Sequence, residues 1–192
     1  MVARIIAPKM SEFLGQQVVV ETRSGANGTI ATEFVAKSAP DGYTITLGSL
    51  SPLVISLATY ANIPYDTAKD FAPINTVALT PEVIALHPSI PAKTLPELIA
   101  LSRTRQVTLS SSGNGGLPHL AIEVLKNVSK GNFLHVPYKG GGPAVTDTVG
   151  GHVNGVVMDL PAVAAQVKGG KLNAVAVTNR QRTGVLPNVP TS

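Results

Sequence analysis

Apolar and polar positions along this chain follow two periods, one typical of helices and one typical of buried strands. Residues 3–14 place apolar side chains at helical spacing, and the pattern ends at Gly15, a residue suited to end a helix. Short β-branched or aromatic runs at 18–20 and 43–47 predict two strands, with a helix ending near Ser38 between them. This order predicts βαβ alternation, and therefore parallel pairing, in the first part of the chain.

The same alternation is more regular after residue 82. Thr94 and Glu97 have the spacing of a capping box, which predicts a helix that runs to about Arg103. Further along the chain, strands are predicted over 107–110, 133–136, 153–158 and 173–177, and helices over 117–128, 143–149 and 161–168. With an extended run at 83–87, these elements make five strands and four helices, enough for a small α/β domain.

Composition narrows the class of protein. With 44% hydrophobic and 14% charged residues in 192, the chain has enough apolar surface to form a core. The net charge is +4, but Lys and Arg are scattered, and four Phe, four Tyr and no Trp give no aromatic platform for nucleic acid. The chain has no Cys, which excludes disulfides and thiolate metal sites. No apolar run is long enough to span a membrane.

The most informative segment is 107–120, where a β-branched run stops at three serines and a glycine-rich turn before a helical pattern begins. The N-terminus of a helix presents free backbone N–H groups and the positive end of its dipole, so this segment predicts an anion site. In open α/β sheets ligands bind beyond the carboxyl ends of the strands. Residues that follow predicted strands are therefore candidate ligand contacts: Ser49, Ser51, Ser112, Asn114, Gly115, Gly116, Lys139 and Asp159.

Each of these features also has a purely structural interpretation. Glycine-rich turns are common for geometric reasons, Lys139 suits a solvated turn, and Asp159 suits the N-cap of the helix that follows. His119 is expected to form a structural hydrogen bond. The histidines have no metal-ligand spacing, and the chain has no G-x-S-x-G, dinucleotide or phosphate-loop motif. We therefore expect no catalytic residue, metal or cofactor, and a site that binds without reacting.

Several short motifs occur in an order that resembles one known family. They are APDGYT at 39–44, PYD at 64–66, KDFAP at 69–73, HPS at 87–89, SGNG at 112–115, HVPYKG at 135–140, AVAVT at 174–178 and LPNVPT at 186–191. Together they resemble the Bug, or TctC-like, family of extracytoplasmic solute receptors of tripartite tricarboxylate transporters. The likeness covers essentially the whole chain.

The resemblance implies a type II periplasmic-binding-protein-like α/β fold with two lobes, mainly parallel sheets and crossing hinge strands. It implies a periplasmic protein that holds a small organic anion, such as a di- or tricarboxylate or an amino acid, between its lobes and delivers it to membrane permease subunits. By motif, one lobe would contact the ligand through Ser112, Asn114, Gly115, Gly116 and Asp159. The other lobe would use Ser49 and Ser51. No nucleic-acid partner is implied.

Family members are longer than this chain, which begins within the helix that follows their first ligand-binding loop. We therefore expect a chain truncated at both ends and without an export signal, with an incomplete first lobe over 1–82, a second lobe over 83–178 and the start of a return segment over 179–192. Such a chain should bind its ligand weakly. Two alternatives stay open: a ligand-sensing module that signals to a membrane kinase, and a small α/β hydrolase-like enzyme.

Overall fold

A computed structural model describes residues 2–192. Its α-helices are Val2–Leu14 (α1), Thr29–Ala36 (α2), Ser56–Thr59 (α3), Leu95–Thr104 (α4), Leu117–Ser129 (α5), Gly141–Val149 (α6) and Leu160–Lys168 (α7). Its strands are Glu82–Leu86 (β1), Val107–Ser111 (β2), Phe133–Pro137 (β3), Gly155–Asp159 (β4) and Asn173–Val177 (β5). A 3₁₀ turn spans Ala26–Gly28, and a π-helical turn spans Ser51–Ile55. None of these helices combines the length and the apolarity needed to cross a bilayer.

The five strands form one sheet in the order β3-β2-β4-β1-β5. Strand β2 pairs in parallel with β3 and β4, whereas β1 pairs antiparallel with both β4 and β5. Four strands therefore point the same way and β1 points the opposite way. This confirms the predicted mainly parallel α/β fold, and it places the carboxyl ends of β2, β3 and β4 at one edge of the sheet.

Helices cover both faces of the sheet because successive strand residues point to opposite sides. Val83 and Val156 pack with Val163 of α7 on one face, where α6 also lies. Ile84 and Leu109 belong to the cluster on the opposite face, under α4 and α5; its other fully buried members include Leu98 and Ile122. All five positions of β1 are buried, as expected for an inner strand of a sheet covered on both faces.

The strands predicted at 18–20 and 43–47 are wrong: within residues 2–192 neither segment pairs with another strand. Residues 74–79, a further run with the extended pattern of a strand, also form no ladder. Several of their apolar side chains lie in solvent, with Val19 77% and Leu79 92% exposed. A β-branched run favours extended backbone, but a strand also needs a neighbour for its N–H and C=O groups. The N-terminal region (residues 2–81) therefore consists of helices and turns joined by unpaired segments.

The segment expected to begin a return to the first lobe, 179–192, reaches the last residue of β5, where Thr191 forms an isolated parallel bridge with Val177. Val177 donates its N–H to the Pro190 carbonyl and accepts from the Ser192 N–H, both at 2.9 Å. Leu186 and Val189 are buried in the core on the α6–α7 face. The sheet with its helices and this segment is termed the sheet region (residues 82–192).

Candidate functional site

The loop between β2 and α5 brings several predicted ligand contacts together. Gly113 and Gly115 have positive φ values of 144° and 75°, a conformation that glycine adopts without steric cost. Gly116 is the N-cap residue of α5 and has no side chain, and Pro118 in the first turn has no N–H. The first turn of α5 therefore depends on other parts of the chain for partners to its free backbone groups.

Two of those partners are a serine and a histidine. The Leu117 N–H donates to Ser51 Oγ at 3.0 Å, and the Gly115 N–H donates to Nδ1 of His119 at 2.9 Å. Ser51 was predicted as a ligand contact, and the structure brings it to the helix end that was predicted to hold the anion. Among residues 2–192 this is the one hydrogen bond of the Ser51 hydroxyl, so its own proton is free to be donated.

Asn27 is one residue of this site that the sequence analysis missed. Its side chain is buried, and its amide nitrogen donates to the Asn114 carbonyl while its amide oxygen accepts from Ser112 Oγ at 3.3 Å. Tyr60 OH donates to the same Asn114 carbonyl at 2.8 Å. Asn27 has a positive φ of 54° and lies between two glycines in the sequence GANG. That turn signal was visible in the sequence, but its contact with residues 112–114 depends on the tertiary fold.

The glycines at the end of the loop allow the N-terminal region to come very close. A Cβ atom at Gly116 would lie 2.7 Å from Cγ of Asn27, and one at Gly115 would lie 2.7 Å from Oγ1 of Thr59. Thr59 also donates a hydrogen bond to the Gly115 carbonyl at 2.8 Å. Any side chain at these two positions would therefore push the N-terminal region away from α5.

Ser49 and Lys139 are less closely connected with this loop. Ser49 is exposed, and its carbonyl accepts the Leu53 N–H at 3.3 Å, one turn before Ser51 contacts α5. Lys139 is also exposed, but the next residue, Gly140, donates its N–H to the Ser112 carbonyl at 3.1 Å. The loop after β3 therefore lies beside the loop after β2, with the Lys139 side chain in solvent.

Asp159 is the last residue of β4, and its neighbour on β1 is a second acidic residue. It occupies the N-cap position of α7, yet its side chain makes no capping hydrogen bond, so the capping interpretation is not supported. In the antiparallel register of β1 and β4, Asp159 lies directly opposite Glu82. Glu82 is only 2% exposed, and burial, followed by the negative charge of Asp159, raises its pKa to about 9. Glu82 was missed, although an acidic residue opening the apolar run EVIAL was a visible signal.

His119 and His135 stack with ring centroids 3.9 Å apart, next to the loop after β2. Nε2 of His135 lies 2.6 Å from Oγ of Ser111, and burial, followed by the proximity of His119, lowers the His135 pKa to about 4. A serine beside a histidine is the arrangement of a nucleophile with its base, but Ser111 has no exposed surface. This contact therefore serves to hold the loop. Within residues 2–192 no three His, Cys, Asp or Glu side chains are placed to share a metal ion.

Solved structures of similar fold are ligand-binding proteins. A structure described as R. palustris Rpa4515 with adipate superposes with a TM-score of 0.95 at 34% identity, over 100% of this chain and 64% of that one. MatC from Rhodopseudomonas palustris with bound malate gives a TM-score of 0.89 at 30% identity, over 99% of this chain and 65% of its own. The fold is therefore that of the periplasmic-binding-protein class.

The sequence comparison gives the family. Residues 2–192 match the family described as tripartite tricarboxylate transporter family receptor, TctC, and the chain belongs to it. Protein BugT of Bordetella pertussis is 38% identical over 192 residues, which cover 98% of this chain and 59% of BugT. The chain thus spans about three fifths of the length of this relative. The resemblance stated from the sequence motifs is confirmed.

Proposed function

We propose that this chain is the ligand-holding part of an extracytoplasmic solute receptor, which binds a small carboxylate at the N-terminus of α5 and delivers it to a membrane permease. The N-terminal region would belong to the first lobe, expected over 1–82, and the sheet region would contain the second lobe, expected over 83–178. Holding the anion is a binding function, so it needs no catalytic group. The periplasm is the compartment in which such a receptor works.

The observation that carries this proposal is the convergence of both regions on one helix end. Ser51 accepts the Leu117 N–H and keeps its own proton for a ligand oxygen. In the loop that precedes α5, Ser112 donates a hydrogen bond to the side chain of Asn27. Hydroxyl protons and backbone N–H groups at the positive end of a helix dipole suit a carboxylate. Two proteins that share this fold were solved with carboxylates: Rpa4515 with adipate and MatC with bound malate.

Energetics require contributions from both regions. Micromolar binding needs about 8 kcal/mol, whereas a helix N-terminus supplies about 0.3–2 kcal/mol for a nearby anion. In this chain the Asn27 amide is already bonded to Asn114 and the Thr59 hydroxyl is bonded to the Gly115 carbonyl, so neither is free for a ligand. We therefore propose that the chain binds carboxylates more weakly than micromolar.

Calorimetric titration of the purified chain with succinate, malate and adipate tests the proposal. Binding of at least one dicarboxylate, which is recovered chemically unchanged, is the expected result. Ser51→Ala should weaken that binding by about fivefold to tenfold, the loss of one hydrogen bond of about 1 kcal/mol. Ser38→Ala removes a hydroxyl of the same region that lies outside the site, so it is the matched control and should leave the affinity unchanged. No binding of any dicarboxylate would overturn the proposal, and turnover of the ligand would favour the enzyme alternative.

A further inference from the structure

We propose that Asn114 is a site of spontaneous deamidation, in which the backbone nitrogen of Gly115 attacks the side chain of Asn114 and His119 acts as the base. The product, aspartate or isoaspartate, places a negative charge in the loop before α5. The chemical step stands on the geometry of this loop, whereas its consequence for a bound carboxylate rests on the proposed function. That consequence is the loss of carboxylate binding at this helix end.

The sequence offers three places for this reaction, and the structure distinguishes them. An asparagine reacts most readily before a glycine, because glycine has no side chain to shield its nitrogen and adopts many backbone conformations. The chain has three such pairs, which begin at Asn27, Asn114 and Asn154. Asn114 is exposed, and within residues 2–192 only its backbone carbonyl is hydrogen-bonded. Its carboxamide is therefore free to turn towards the next nitrogen.

The other two asparagines have fixed side chains. Asn27 is buried, and its carboxamide bonds through both its nitrogen and its oxygen to the loop 112–114. The N–H that follows it, of Gly28, donates to a backbone carbonyl at 2.9 Å. Oδ1 of Asn154 accepts the N–H and the hydroxyl of Thr108, at 2.9 and 3.1 Å. Neither carboxamide is free to turn towards its neighbour, so both should react slowly.

His119 is placed to take the proton from the attacking nitrogen. The Gly115 N–H donates to Nδ1 of His119 across 2.9 Å, so this ring nitrogen is unprotonated and acts as the acceptor. A general base has to lie within hydrogen-bond reach of the proton that it removes, and His119 meets this requirement without any movement. Its ring is stacked on that of His135, with centroids 3.9 Å apart, which holds it in place.

The carbonyl of the same peptide bond is polarised from the other side. The Asn114 oxygen accepts from the Asn27 amide and from Tyr60 OH, the latter at 2.8 Å. When the Gly115 nitrogen loses its proton, negative charge spreads onto this oxygen, where the two donors stabilise it. Donors on the oxygen and an acceptor on the N–H also strengthen one another. The Gly115 N–H is therefore a stronger acid than an ordinary peptide N–H.

The reaction balances with water as its co-reactant. The Gly115 nitrogen forms a bond to Cγ of Asn114 while its proton passes to Nδ1 of His119. The carboxamide nitrogen then leaves as ammonia with that proton, and a cyclic succinimide remains. Water opens this ring at either carbonyl. Aspartate forms where the new C–N bond breaks, and isoaspartate forms where the original backbone bond breaks, without oxidation or reduction.

The product changes the charge of the candidate anion site. Asn114 lies two residues before Gly116, the N-cap residue of α5, and two residues after Ser112. A carboxylate attached at this position is attracted by the positive end of the helix dipole, as the ligand carboxylate is. Two like charges at one helix end repel each other, so the attached carboxylate disfavours the bound one.

Peptide mass mapping of the purified chain, incubated at neutral pH, tests the chemical step. The gain in mass of an amide-to-acid change should appear at Asn114 about tenfold faster in the folded chain than in urea, where no base is positioned. At Asn27 and Asn154 folding should instead slow the change, so these pairs are internal controls. A rate at Asn114 that equals the rate in urea, or falls below it, overturns the proposal.

His119→Ala tests the base. The conversion of Asn114 should slow by about tenfold, and free imidazole, added to this variant, should restore it. Imidazole should accelerate the unmodified chain much less, because its base is already in place. His152→Ala, at an exposed position, should keep the original rate. A slow variant that imidazole does not rescue overturns the role of His119, and the comparison of the folded chain with urea is decisive even if the variant does not fold.

Asn114→Asp tests the consequence. Calorimetric titration with malate should show an affinity lower by about tenfold or more, because the new charge lies beside the ligand. Asn188→Asp makes the same change of charge at an exposed position outside the site and should keep the affinity. Unchanged binding by Asn114→Asp would mean that the modification does not silence the site. If the unmodified chain binds no dicarboxylate, the proposed function fails, whereas the mass mapping still decides the deamidation.

Discussion

Ser51 in the N-terminal region accepts the backbone N–H of Leu117, the first residue of α5, across 3.0 Å. A helix N-terminus is usually capped by the residue just before it, but in α5 that residue is Gly116, which has no side chain. The cap comes instead from a residue 66 positions earlier in the chain. This contact couples the stability of α5 to the position of the N-terminal region.

Removing this cap should destabilise the protein. Ser51→Ala leaves the Leu117 N–H without its partner, and we expect the free energy of unfolding to fall by about 1 kcal/mol, the usual cost of a lost helix cap. Urea unfolding followed by circular dichroism measures this change. Ser49→Ala should change the free energy by less than about 0.5 kcal/mol, as exposed substitutions usually do. Equal effects of the two variants would show that the bond to Leu117 contributes nothing.

A side chain at Gly116 should separate the two regions. In Gly116→Ala the new Cβ would lie 2.7 Å from Cγ of Asn27, closer than van der Waals contact permits. We expect a destabilisation of about 1–3 kcal/mol, the usual cost of overpacking. Gly142→Ala is the matched control, because a Cβ at Gly142 in α6 meets no atom within 4 Å.

The same clash has a specific rescue. Asn27→Gly removes the atoms that the methyl group introduced by Gly116→Ala would touch, so the double variant should be more stable than the sum of the two single effects predicts. A double-mutant cycle in urea measures this coupling. Strict additivity would mean that Gly116 and Asn27 do not touch in solution.

The sequence predicted the sheet region more accurately than the N-terminal region, for a physical reason. The predicted strand 173–177 agrees with β5, and 107–110 differs from β2 by one residue. Each of these segments has a neighbouring strand among the described residues, so local pattern and tertiary pairing agree. The runs at 18–20 and 43–47 have the same local pattern, but within residues 2–192 no strand pairs with them.

The candidate site shows the same division between local and tertiary information. The glycine-rich turn before α5 could be predicted because it follows strand β2, whereas Ser51 was named as following a strand at 43–47 that does not form. Asn27 and Glu82 could not be predicted, because their importance depends on contacts 87 and 77 residues away, with Asn114 and Asp159. The sequence marks each residue locally, Asn27 by its turn and Glu82 by its place in an apolar run, but it does not identify the distant residue that each one contacts.

His135 should make the protein less stable in mild acid. Burial, and then the proximity of His119, lowers its pKa in the folded state from 6.5 to about 4, so the unfolded chain binds the proton more readily. Its contribution to stability is therefore complete above about pH 6.5 and is lost as the pH falls towards 4. His135→Gln should flatten the decline of the free energy of unfolding between pH 6.5 and 4.5, measured by urea unfolding. His152→Gln, at an exposed position, should leave the decline unchanged.

Glu82 should produce the opposite trend in neutral and alkaline solution. Its pKa in the folded state is raised from 4.5 to about 9, first by burial and then by the charge of Asp159. The folded protein therefore binds this proton more tightly, and the contribution to stability is complete below about pH 4.5 and is lost as the pH rises towards 9. The slope reaches at most about 1.4 kcal/mol per pH unit for one proton. Because Gln carries no titrating proton, Glu82→Gln should remove this slope.

Urea unfolding of the unmodified chain and of Glu82→Gln at several values between pH 5 and 8.5 measures the difference. The two free energies of unfolding should be similar at pH 5 and should diverge as the pH rises, with the Gln variant the more stable. Glu12→Gln, on the exposed surface of α1, should stay parallel to the unmodified chain. Parallel curves for Glu82→Gln would mean that the Glu82 carboxyl ionises as in water, and thus that its burial beside Asp159 does not persist in solution.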